Sequence, residues 1–373
     1  MEPFYPLHAY VCDNCWLVQL EQYESAESIF GNYLYFSSYS DQWLRHCRDY
    51  AEHMVASRGL DASSLVVEVA SNDGYLLQYF KERGVRVLGV EPAANVAKVA
   101  RDKGIATEVA FFGVETARRL AEAGHRADVI AANNVLAHVP DINDFVAGFK
   151  ILLKPAGVAT FEFPHLLQLI QHCQFDTIYH EHFSYLSLLT VDKIFARHGL
   201  CVFDVELLPT HGGSLRIFAS HAKLLLNRTE RFDSVLESER AYGLDNPKAY
   251  ANFGTSVTAA KCALLEFLIG ARRDGKTVVG YGAPAKGNTL LNYCGVGPEL
   301  LPYTVDLSPH KQGRYLPGVQ IPISDPRRIF DTKPDYVLIL PWNLKDEISS
   351  QMSGICDWGG RFVVAIPTLT ILN

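Results

Sequence analysis

Short apolar runs alternate with amphipathic stretches along the middle of the chain. Leu65–Val69 is rich in β-branched residues, which is typical of a buried parallel strand, and residues 85–90 form a second such run. Between them, Leu76, Leu77 and Phe80 recur at helical spacing. The pattern predicts a βαβ unit, whose polar groups collect at the carboxyl ends of its strands.

The same alternation extends in both directions. Further strands are predicted at residues 128–134, 158–163, 202–207 and 215–220, with helices at 42–59 and 191–198. A closing hairpin places the end of this domain near His221. Beyond it, two helical segments precede a second α/β unit that starts at residues 277–280. We therefore expect an α/β protein in three parts, namely residues 1–60, 61–221 and 222–373.

The bulk composition narrows the class of protein. The 373 residues are 48% hydrophobic and 20% charged, with a formal net charge of -7 at pH 7. A mildly acidic chain without basic runs argues against nucleic acid as a partner. We see no run that could span a membrane and no leader. The cysteines are scattered apart from Cys12 and Cys15, which indicates a cytoplasmic protein in a reducing compartment.

The loop after the first strand of the βαβ unit carries acids rather than glycines. A dinucleotide needs a G-x-G-x-x-G loop that bares the backbone for its pyrophosphate. Glu68 and Asp73 instead repel phosphate and suit a sulfonium and an amino group, while Glu91 can take both ribose hydroxyls of a nucleoside. The pattern favours S-adenosylmethionine (SAM) over NAD. The predicted cofactor residues of this region are Glu68, Ala70, Asn72, Asp73, Gly74, Glu91 and Pro92.

Three further cofactor candidates end later segments. Phe112 could stack on or beside an adenine. Asn133 and Asn134 end a predicted strand, at the edge where open α/β sheets bind ligands. His138 follows them as a candidate for catalysis, although it could equally be a histidine at the start of a helix.

A pair of cysteines lies near the start of the chain. Two thiolates two residues apart, Cys12 and Cys15, make a good half of a structural zinc site. The other half needs two more ligands, and His8 and Cys47 are the nearby candidates. The alternative is a small packed β-hairpin with free thiols.

The stretch at residues 33–40 is rich in aromatic rings and hydroxyls. It suits a surface loop that hydrogen-bonds a polar ligand such as a sugar, and we predict Tyr35 and Ser37 as substrate contacts. The alternative is a solvated loop whose rings are buried.

Tyr179, His180, Glu181 and His182 form a run of proton-handling side chains. Histidine is the usual general base near neutral pH, so this run suits a reaction that removes a proton. In an extended segment, His180 and His182 would share one face and Glu181 would lie on the other. We predict His180 as a substrate contact. The alternatives are that these histidines are structural or bind a metal.

A second ligand loop is predicted at residues 281–288. Small residues bare the backbone there, a helix follows, and Lys286 adds a positive charge, which suits a phosphate although the spacing is not that of a P-loop. We predict that Lys286 and Asn288 bind a phosphate-bearing part of the substrate. A tight turn without a ligand is the alternative.

Seven stretches together resemble the nucleotide-sugar C-methyltransferases, SAM-dependent enzymes of deoxysugar and antibiotic biosynthesis. They are EVASNDGYLL, GVEPAANVA, NNVLAHVPD, EFPHL, QFDTIYHEHFSY, THGGSLR and GYGAPAKGN. The resemblance implies a zinc-binding N-terminal segment, a class I methyltransferase domain with a Rossmann-like sheet that binds SAM, and a C-terminal Rossmann-like domain that anchors the nucleotide sugar. It implies a thymidine-diphosphate (TDP)-linked 4-keto-deoxyhexose as substrate, methylated at the carbon next to the ketone.

Carried over by position, the resemblance makes His182 the general base. It surrounds the reacting sugar with Tyr33, His138, Tyr179 and Glu181. The family's zinc segment has two CxxC pairs and only the later pair is present here, so either the start of the chain is shortened or the metal is lost. Two other functions stay open, namely N- or O-methylation of a small metabolite and non-catalytic binding of a nucleotide sugar.

Overall fold

The structure, a computed structural model, describes residues 2–31, 33 and 36–372. The predicted substrate residue Tyr35 therefore lies outside the described residues. By internal contacts the chain divides into two compact units. The large unit comprises His8–His165 and His180–Asp245, and the small unit comprises Met1–Leu7, Leu166–Tyr179 and Asn246–Asn373. This grouping differs from the three predicted parts because residues 166–179 cluster with the C-terminal residues. The three-part division stays a prediction.

A twisted α/β sheet forms the core of the large unit. Its strands and those of a small accessory sheet are β1 (Ala9–Val11), β2 (Val18–Leu20), β3 (Leu65–Val69), β4 (Arg86–Val90), β5 (Thr107–Glu108), β6 (Ala127–Asn133), β7 (Leu153–Pro164), β8 (Ser184–Tyr185), β9 (Leu200–Leu208) and β10 (Ser214–His221). The main sheet has the order β5-β4-β3-β6-β7-β10-β9. The first five strands of this order, β5, β4, β3, β6 and β7, are parallel to one another. Strand β10 runs antiparallel to both β7 and β9. This arrangement confirms the predicted α/β sheet with its closing hairpin.

Helices cover the sheet of the large unit. They are α1 (Ala26–Phe30), α2 (Asp41–Arg58), α3 (Leu77–Glu82), α4 (Ala94–Asp102), α5 (Val114–Glu122), α6 (Ile142–Leu152), α8 (Leu188–Arg197) and α9 (Glu230–Tyr242), while α7 (Leu166–Gln171) belongs to the small unit. Every residue of β3 is buried, which explains its unbroken apolar sequence. Helix α2 begins after Ser40, whose hydroxyl accepts from the Trp43 amide, and ends at Gly59 in a left-handed conformation, as predicted.

The N-terminal residues form a hairpin that extends to the segment after His182. Strand β1 pairs antiparallel with β2, and β2 pairs antiparallel with β8. The Phe183 amide donates to the Ala137 carbonyl at 2.7 Å, and the Phe183 carbonyl accepts from the Leu20 amide at 3.0 Å. Residue 183 is thus held from two sides, which fixes the backbone next to His182.

The small unit has its own sheet. Its strands are β11 (Val278–Tyr281), β12 (Thr304–Val305), β13 (Ile323–Ser324), β14 (Tyr336–Ile339), β15 (Arg361–Val364) and β16 (Thr370–Leu372), in the order β13-β12-β11-β14-β15-β16. All pairs are parallel except β15 with β16. The remaining helices are α10 (Pro247–Ala251), α11 (Phe253–Arg273), α12 (Ala285–Cys294), α13 (Arg328–Thr332) and α14 (Lys345–Gln351). A second Rossmann-like sheet is therefore present, as predicted.

One helical stretch of the small unit has features of a membrane span. By length and composition alone, Pro247–Arg273 could cross a bilayer. Core helices of globular proteins pass the same test, so a single such stretch is weak evidence. From the sequence we expected no run that could span a membrane, and by length and composition this stretch differs from that expectation.

Candidate methyl-transfer site

Glu68 is a buried acid near the carboxyl end of β3. Neither of its carboxylate oxygens has a hydrogen-bond partner of ordinary geometry among the described residues, although the Tyr75 hydroxyl is nearby. Burial raises the pKa of Glu68 well above its usual value, and the charges of Asp73 and Glu91 raise it further. Because a buried acceptor without a donor costs free energy, this carboxylate suits a ligand that brings a donor or a positive charge.

The loop after β3 curls through left-handed backbone conformations. The φ angles of Ala70, Asn72 and Gly74 are 58°, 47° and 78°. A Cβ atom at Gly74 would lie 2.4 Å from the Ile105 Cδ1 atom, so only glycine fits there. Non-glycine residues in this conformation carry strain, which is common in loops that bind ligands.

Glu91 ties this loop to the end of β4. Its Oε2 accepts from the Asn72 amide at 2.9 Å, and its Oε1 accepts from the Ala93 amide at 2.8 Å, across Pro92. Burial raises the pKa of Glu91, and these two amides oppose that effect. A carboxylate oxygen has more than one acceptor position, so both oxygens can also take a hydroxyl. This is the geometry that a ribose-binding acid needs.

Several buried hydrogen-bond acceptors lie at this edge of the sheet. Their chemistry shows whether the site suits SAM. Besides Glu68, the atoms without a partner among the described residues include Asp73 Oδ1, Asn133 Oδ1 and Asn134 Oδ1. Acceptors repel phosphate oxygens but match the donors of SAM, which are its amino groups and ribose hydroxyls, and they favour its sulfonium charge. The predicted cofactor residues therefore fit SAM and do not fit a pyrophosphate.

Residues 37 and 38 form hydrogen bonds with the loop after β3, which carries the predicted cofactor residues. The Ser37 amide donates to the Asn72 Oδ1 atom at 2.9 Å, and the Ser38 hydroxyl donates to Asp73. Lys103 also reaches Asp73 Oδ2, at 3.0 Å. This stretch thus holds the loop that the cofactor residues occupy. The predicted contact of Ser37 with the substrate stays a prediction.

Phe112 packs into the core of the large unit. Its ring lies 4.9 Å from that of Phe149 and 5.6 Å from that of Phe145, between ring centroids. The neighbouring Phe111 is the exposed ring, with 39% of its surface accessible. Phe111 is therefore the residue of this pair with a face available for an adenine, and the predicted stacking by Phe112 stays a prediction.

Two histidines face each other beyond the end of β6. The ring centroids of His138 and His182 are 4.6 Å apart, with an angle of 71° between the ring planes. Burial lowers the pKa of His138 to about 4, although a hydrogen bond to the Glu181 backbone opposes this effect. Its Nδ1 atom is buried without a hydrogen-bond partner among the described residues. Because its pKa is lowered to about 4, His138 is neutral near pH 7.

The aromatic surroundings of this pair include Tyr33. The Tyr33 backbone bonds in both directions with the Asn95 side chain, at 3.3 and 2.7 Å. The ring centroid of Phe30 lies 5.8 Å from that of Tyr33 and 5.6 Å from that of His138. Tyr33 and His138 thus flank one phenylalanine, as expected if both surround the same ligand.

The run around His182 is a turn rather than an extended segment. Residues 180 and 181 form the turn, so the alternation of faces predicted for His180, Glu181 and His182 is wrong. The His180 ring lies 6.0 Å from the Tyr23 ring, and burial raises the pKa of Glu181. Tyr179 ends the segment that clusters with the small unit.

A buried ion network lies at the end of β7, and the sequence analysis did not identify its members as functional residues. Glu162 accepts from His46, Arg216 and Thr210, each at 2.8 Å. Burial opposes ionisation of Glu162, but the His46 hydrogen bond and the Arg216 charge outweigh it and lower its pKa to about 2. The Glu162 carbonyl also accepts from the Asn134 amide at 2.7 Å. The network therefore holds the end of β7, and through the Asn134 amide it also holds the start of the segment that leads to His138.

The loop of the small unit is built around Lys286. Its Nζ atom donates to the Asn343 Oδ1 atom at 2.8 Å and lies 4.7 Å from the centre of the Trp342 ring. Burial lowers the pKa of Lys286, and the charge of Asp176 opposes that effect. Lys286 is thus engaged by protein groups, while its two other donors can serve a ligand. The Asn288 Oδ1 atom accepts from Asn292 at 3.2 Å.

The cysteine pair lies at the turn of the N-terminal hairpin. The Cys15 and Asn14 amides, followed by the Cys15 side chain, lower the pKa of the Cys12 thiol. Such a turn suits a thiolate that binds a metal. Cys47 is buried in the core, where burial raises its thiol pKa, so it is unsuited as a further ligand. Among the described residues, no group of three or more histidine, cysteine or acidic side chains could hold a metal ion.

Comparison with known proteins identifies the family. Three family models match successive parts of the chain: a "Putative zinc binding domain" at residues 1–30, a "Methyltransferase domain" at 39–205 and a "C-methyltransferase C-terminal domain" at 209–367. C-methyltransferase NovU from Streptomyces niveus is 38% identical over 372 residues, which cover 100% of this chain and 89% of NovU. The chain belongs to the C-methyltransferase family. It is a SAM-dependent methyltransferase, and the resemblance found in its sequence is confirmed.

Other relatives cover much less of the enzyme. A ubiquinone biosynthesis O-methyltransferase from Chelativorans sp. (strain BNC1) is 30% identical over 94 residues, which are 25% of this chain and 37% of that protein. Magnesium protoporphyrin IX methyltransferase from Synechocystis PCC 6803, solved with bound SAM, shares 15% identity and a TM-score of 0.37 over 48% of this chain and 79% of its own. That structural likeness is too low to carry an argument. The O-methyltransferase match covers a quarter of the chain, whereas the C-methyltransferase match spans the whole enzyme.

Proposed function

We propose that the enzyme methylates a nucleotide-linked 4-keto-deoxysugar at the carbon next to the ketone. The contact of His138 with His182 carries this proposal, because it provides a base beside an unprotonated, buried imidazole. A carbon next to a ketone becomes a nucleophile only after such a base has removed its proton. The match to C-methyltransferase NovU supports carbon as the acceptor.

In the proposed reaction His182 removes the proton next to the ketone, and the carbonyl oxygen becomes an enolate oxygen. Bound SAM supplies the electrophilic methyl group. The enolate oxygen needs hydrogen-bond donors, and the hydroxyls of Tyr33 and Tyr179 are the candidates. His138 is buried and neutral, and its Nδ1 atom has no partner among the described residues. In the proposed reaction it orients the substrate or steadies the enolate. Glu181 and His180 remain candidates for contacts with the sugar.

The nucleotide part of the substrate is assigned to the small unit. Lys286 lies in the first turn of α12, where the amides of Ala285, Lys286 and Gly287 have no partner within the helix by the geometry of helix starts. A cation next to such amides suits the diphosphate of a TDP-linked sugar, and Asn288 lies one residue further on. The cytoplasmic location, the place in deoxysugar or antibiotic biosynthesis and the zinc of the hairpin stay predictions.

Incubation with SAM and a panel of 4-keto nucleotide sugars tests the proposal by mass spectrometry. A sugar that carries deuterium next to the ketone should gain one methyl group and lose one deuterium. A product that gains a methyl group and keeps all its deuterium would show that nitrogen or oxygen is the acceptor. A panel without any methylated product would overturn the sugar assignment.

A further inference from the structure

The small unit repeats, around Asp306, the hydrogen bonds that Glu91 makes in the large unit. Asp306 directly follows β12, as Glu91 directly follows β4. Its Oδ2 accepts from the Ala283 amide at 2.7 Å, and its Oδ1 accepts from the Ser308 amide at 2.8 Å. In both units an acid at the end of a strand binds an amide of the neighbouring strand's loop and an amide two residues beyond itself.

The strand order around Asp306 is also the same. Strand β11 lies between β12 on one side and β14 on the other, as β3 lies between β4 and β6. The chain reverses its direction of sheet growth at β11, and ligands of open α/β sheets bind in the crevice at such a point. Asp306 stands at the edge of that crevice, next to the loop that contains Lys286.

Three glycines, in β11, in the loop after it and in the first turn of α12, permit close approach. A Cβ at Gly280 would lie 2.6 Å from the Thr304 Oγ1 atom, and one at Gly287 would lie 2.8 Å from the Leu340 Cβ atom. Gly282 has a φ angle of 91°. A tight turn and close packing of helix on strand are the roles of glycines in nucleotide-binding loops. The acid that follows the next strand in such sites binds the pentose.

A buried acid in the same unit points to a ligand independently. Asp176 is fully buried, and its Oδ2 accepts from the Trp342 Nε1 atom at 2.7 Å. Its Oδ1 has no partner of ordinary geometry among the described residues. Trp342 follows β14, and Lys286 lies over its ring. An acceptor without a donor thus lies among the residues at the ends of β11 and β14, where a ligand donor would satisfy it.

We propose that Asp306 binds a pentose hydroxyl in the nucleotide part of the substrate. The proposal rests on the proposed function, because it takes the nucleotide sugar as the ligand of this unit. Lys311 Nζ also donates to the Oδ2 atom of Asp306, at 3.3 Å. Among the described residues the Oδ1 atom accepts only from the Ser308 amide, so it keeps room for a hydroxyl. Its negative charge excludes a phosphate from the same position, which leaves the diphosphate to the Lys286 side of the crevice.

A thermodynamic cycle with two ligands and two protein variants, measured on the full chain, tests whether Asp306 binds the pentose hydroxyl. Binding of TDP and of its 3′-deoxy counterpart is measured by calorimetry for the wild type and for Asp306→Asn. A hydrogen bond to a charged acceptor gives about a tenfold or larger change in affinity. The wild type should therefore bind the 3′-deoxy ligand about tenfold more weakly. Asp306→Asn should bind TDP about tenfold more weakly and discriminate the two ligands less than about twofold.

Asp325→Asn is the matched control, because Asp325 follows the next strand, β13, and pairs with Arg327 at the surface. It should discriminate the two ligands as the wild type does. SAM affinity and the thermal unfolding of the whole chain should be unchanged in both variants, which shows that each is folded. An Asp306→Asn enzyme that discriminates TDP from its 3′-deoxy counterpart as well as the wild type does would overturn the inference. TDP binding by the wild type would in that case still support the proposed function. A wild type that binds no TDP would overturn both.

Discussion

The imidazole of His138 meets that of His182 edge to face, with 4.6 Å between ring centroids. The two rings have different surroundings. The pKa of His138 is lowered to about 4 by burial, so His138 stays neutral across the physiological range. His182 has part of its surface accessible. In the proposed reaction His182 is therefore the histidine that exchanges a proton with the substrate.

Replacement of His182 tests its role as the base. Loss of a general base typically lowers a rate by about 10²–10⁴-fold. His182→Ala should lose methyl transfer by that factor and keep its affinity for SAM. In deuterated water, with sugar and a SAM analogue that cannot donate methyl, the wild type should exchange the hydrogen next to the ketone and this variant should not. His53→Ala, an exposed histidine on α2, is the control. Exchange at the wild-type rate in His182→Ala would assign the base to another residue.

The pKa of His138 predicts how stability depends on pH. The pKa falls from 6.5 to about 4 on folding, so the unfolded chain binds this proton more tightly. The neutral ring therefore supports folding above pH 6.5, and that support is lost as the pH falls toward about 4. His138→Asn should flatten the loss of unfolding free energy between pH 7 and pH 5, measured with denaturant. An unchanged slope, equal to that of His53→Asn, would contradict the buried neutral state.

Glu91 should determine SAM affinity. Each of its oxygens already accepts one backbone amide, so Glu91→Gln directs an amide group at a donor and removes the charge that a ribose hydroxyl would meet. Charge-assisted hydrogen bonds contribute roughly 1.5–3 kcal/mol, so the dissociation constant should rise about ten- to a hundredfold in calorimetry. Glu82→Gln, an exposed residue of α3, should bind SAM normally. A Glu91→Gln enzyme that binds SAM with wild-type affinity would contradict the role of Glu91 in binding the ribose.

Asp176 should destabilise the protein near neutral pH. Its pKa rises from 3.8 to about 6 because it is buried, so folding favours the protonated form. Stability from this group is greatest below pH 3.8 and is lost as the pH rises through about 6, a cost of roughly 3 kcal/mol. Asp176→Asn can keep the Trp342 hydrogen bond and removes the buried charge, so it should raise the unfolding free energy at pH 7.5 by about 1–3 kcal/mol. The gain can fall below the full cost because Lys286 loses an attractive charge.

The same variant should give no such gain at pH 4, where the wild-type carboxyl is largely protonated. Asp346→Asn, an exposed residue of α14, should change little at either pH. A gain of equal size at both pH values would mean that the carboxyl charge is not the cause.

The metal content of the hairpin can be measured directly. A zinc site that binds tightly should stay loaded through purification after growth with zinc, and loss of zinc should destabilise the hairpin. If Cys12 and Cys15 hold zinc, elemental analysis should find about one equivalent in the wild type and much less in a Cys12→Ser variant. Less than about one-tenth of an equivalent in the wild type would show that Cys12 and Cys15 do not hold zinc in this chain.

Local patterns gave correct predictions where the chemistry is local. The strand at Leu65–Val69 follows from the run of β-branched residues, and Glu91 directly follows a strand as expected. The binding of ribose by Glu91 stays a prediction. The curled loop between them was predicted only in part, because its left-handed residues include Ala70 and Asn72, which no glycine signal marks. Periodicity reports burial along an element and carries no information about strain in a loop.

Local sequence patterns could not predict contacts between residues that are far apart in the chain. Glu162, His46 and Arg216 come together only because β7 pairs with β10 and α2 packs beside them, and nothing at any one position marks the network. The predicted alternation of His180, Glu181 and His182 failed for a similar reason. Pairing of β8 with β2, 160 or more residues away, leaves the residues before it in a turn.

The pairing of β2 with β8 also makes cofactor capture and turnover separable. A protease that cuts in the exposed stretch 21–22 would release the hairpin from the backbone beside His182 and leave Glu68 and Glu91 untouched. We expect such a clipped molecule to bind SAM as the intact chain does and to transfer methyl groups more slowly, because the backbone beside His182 would have lost one of its two supports.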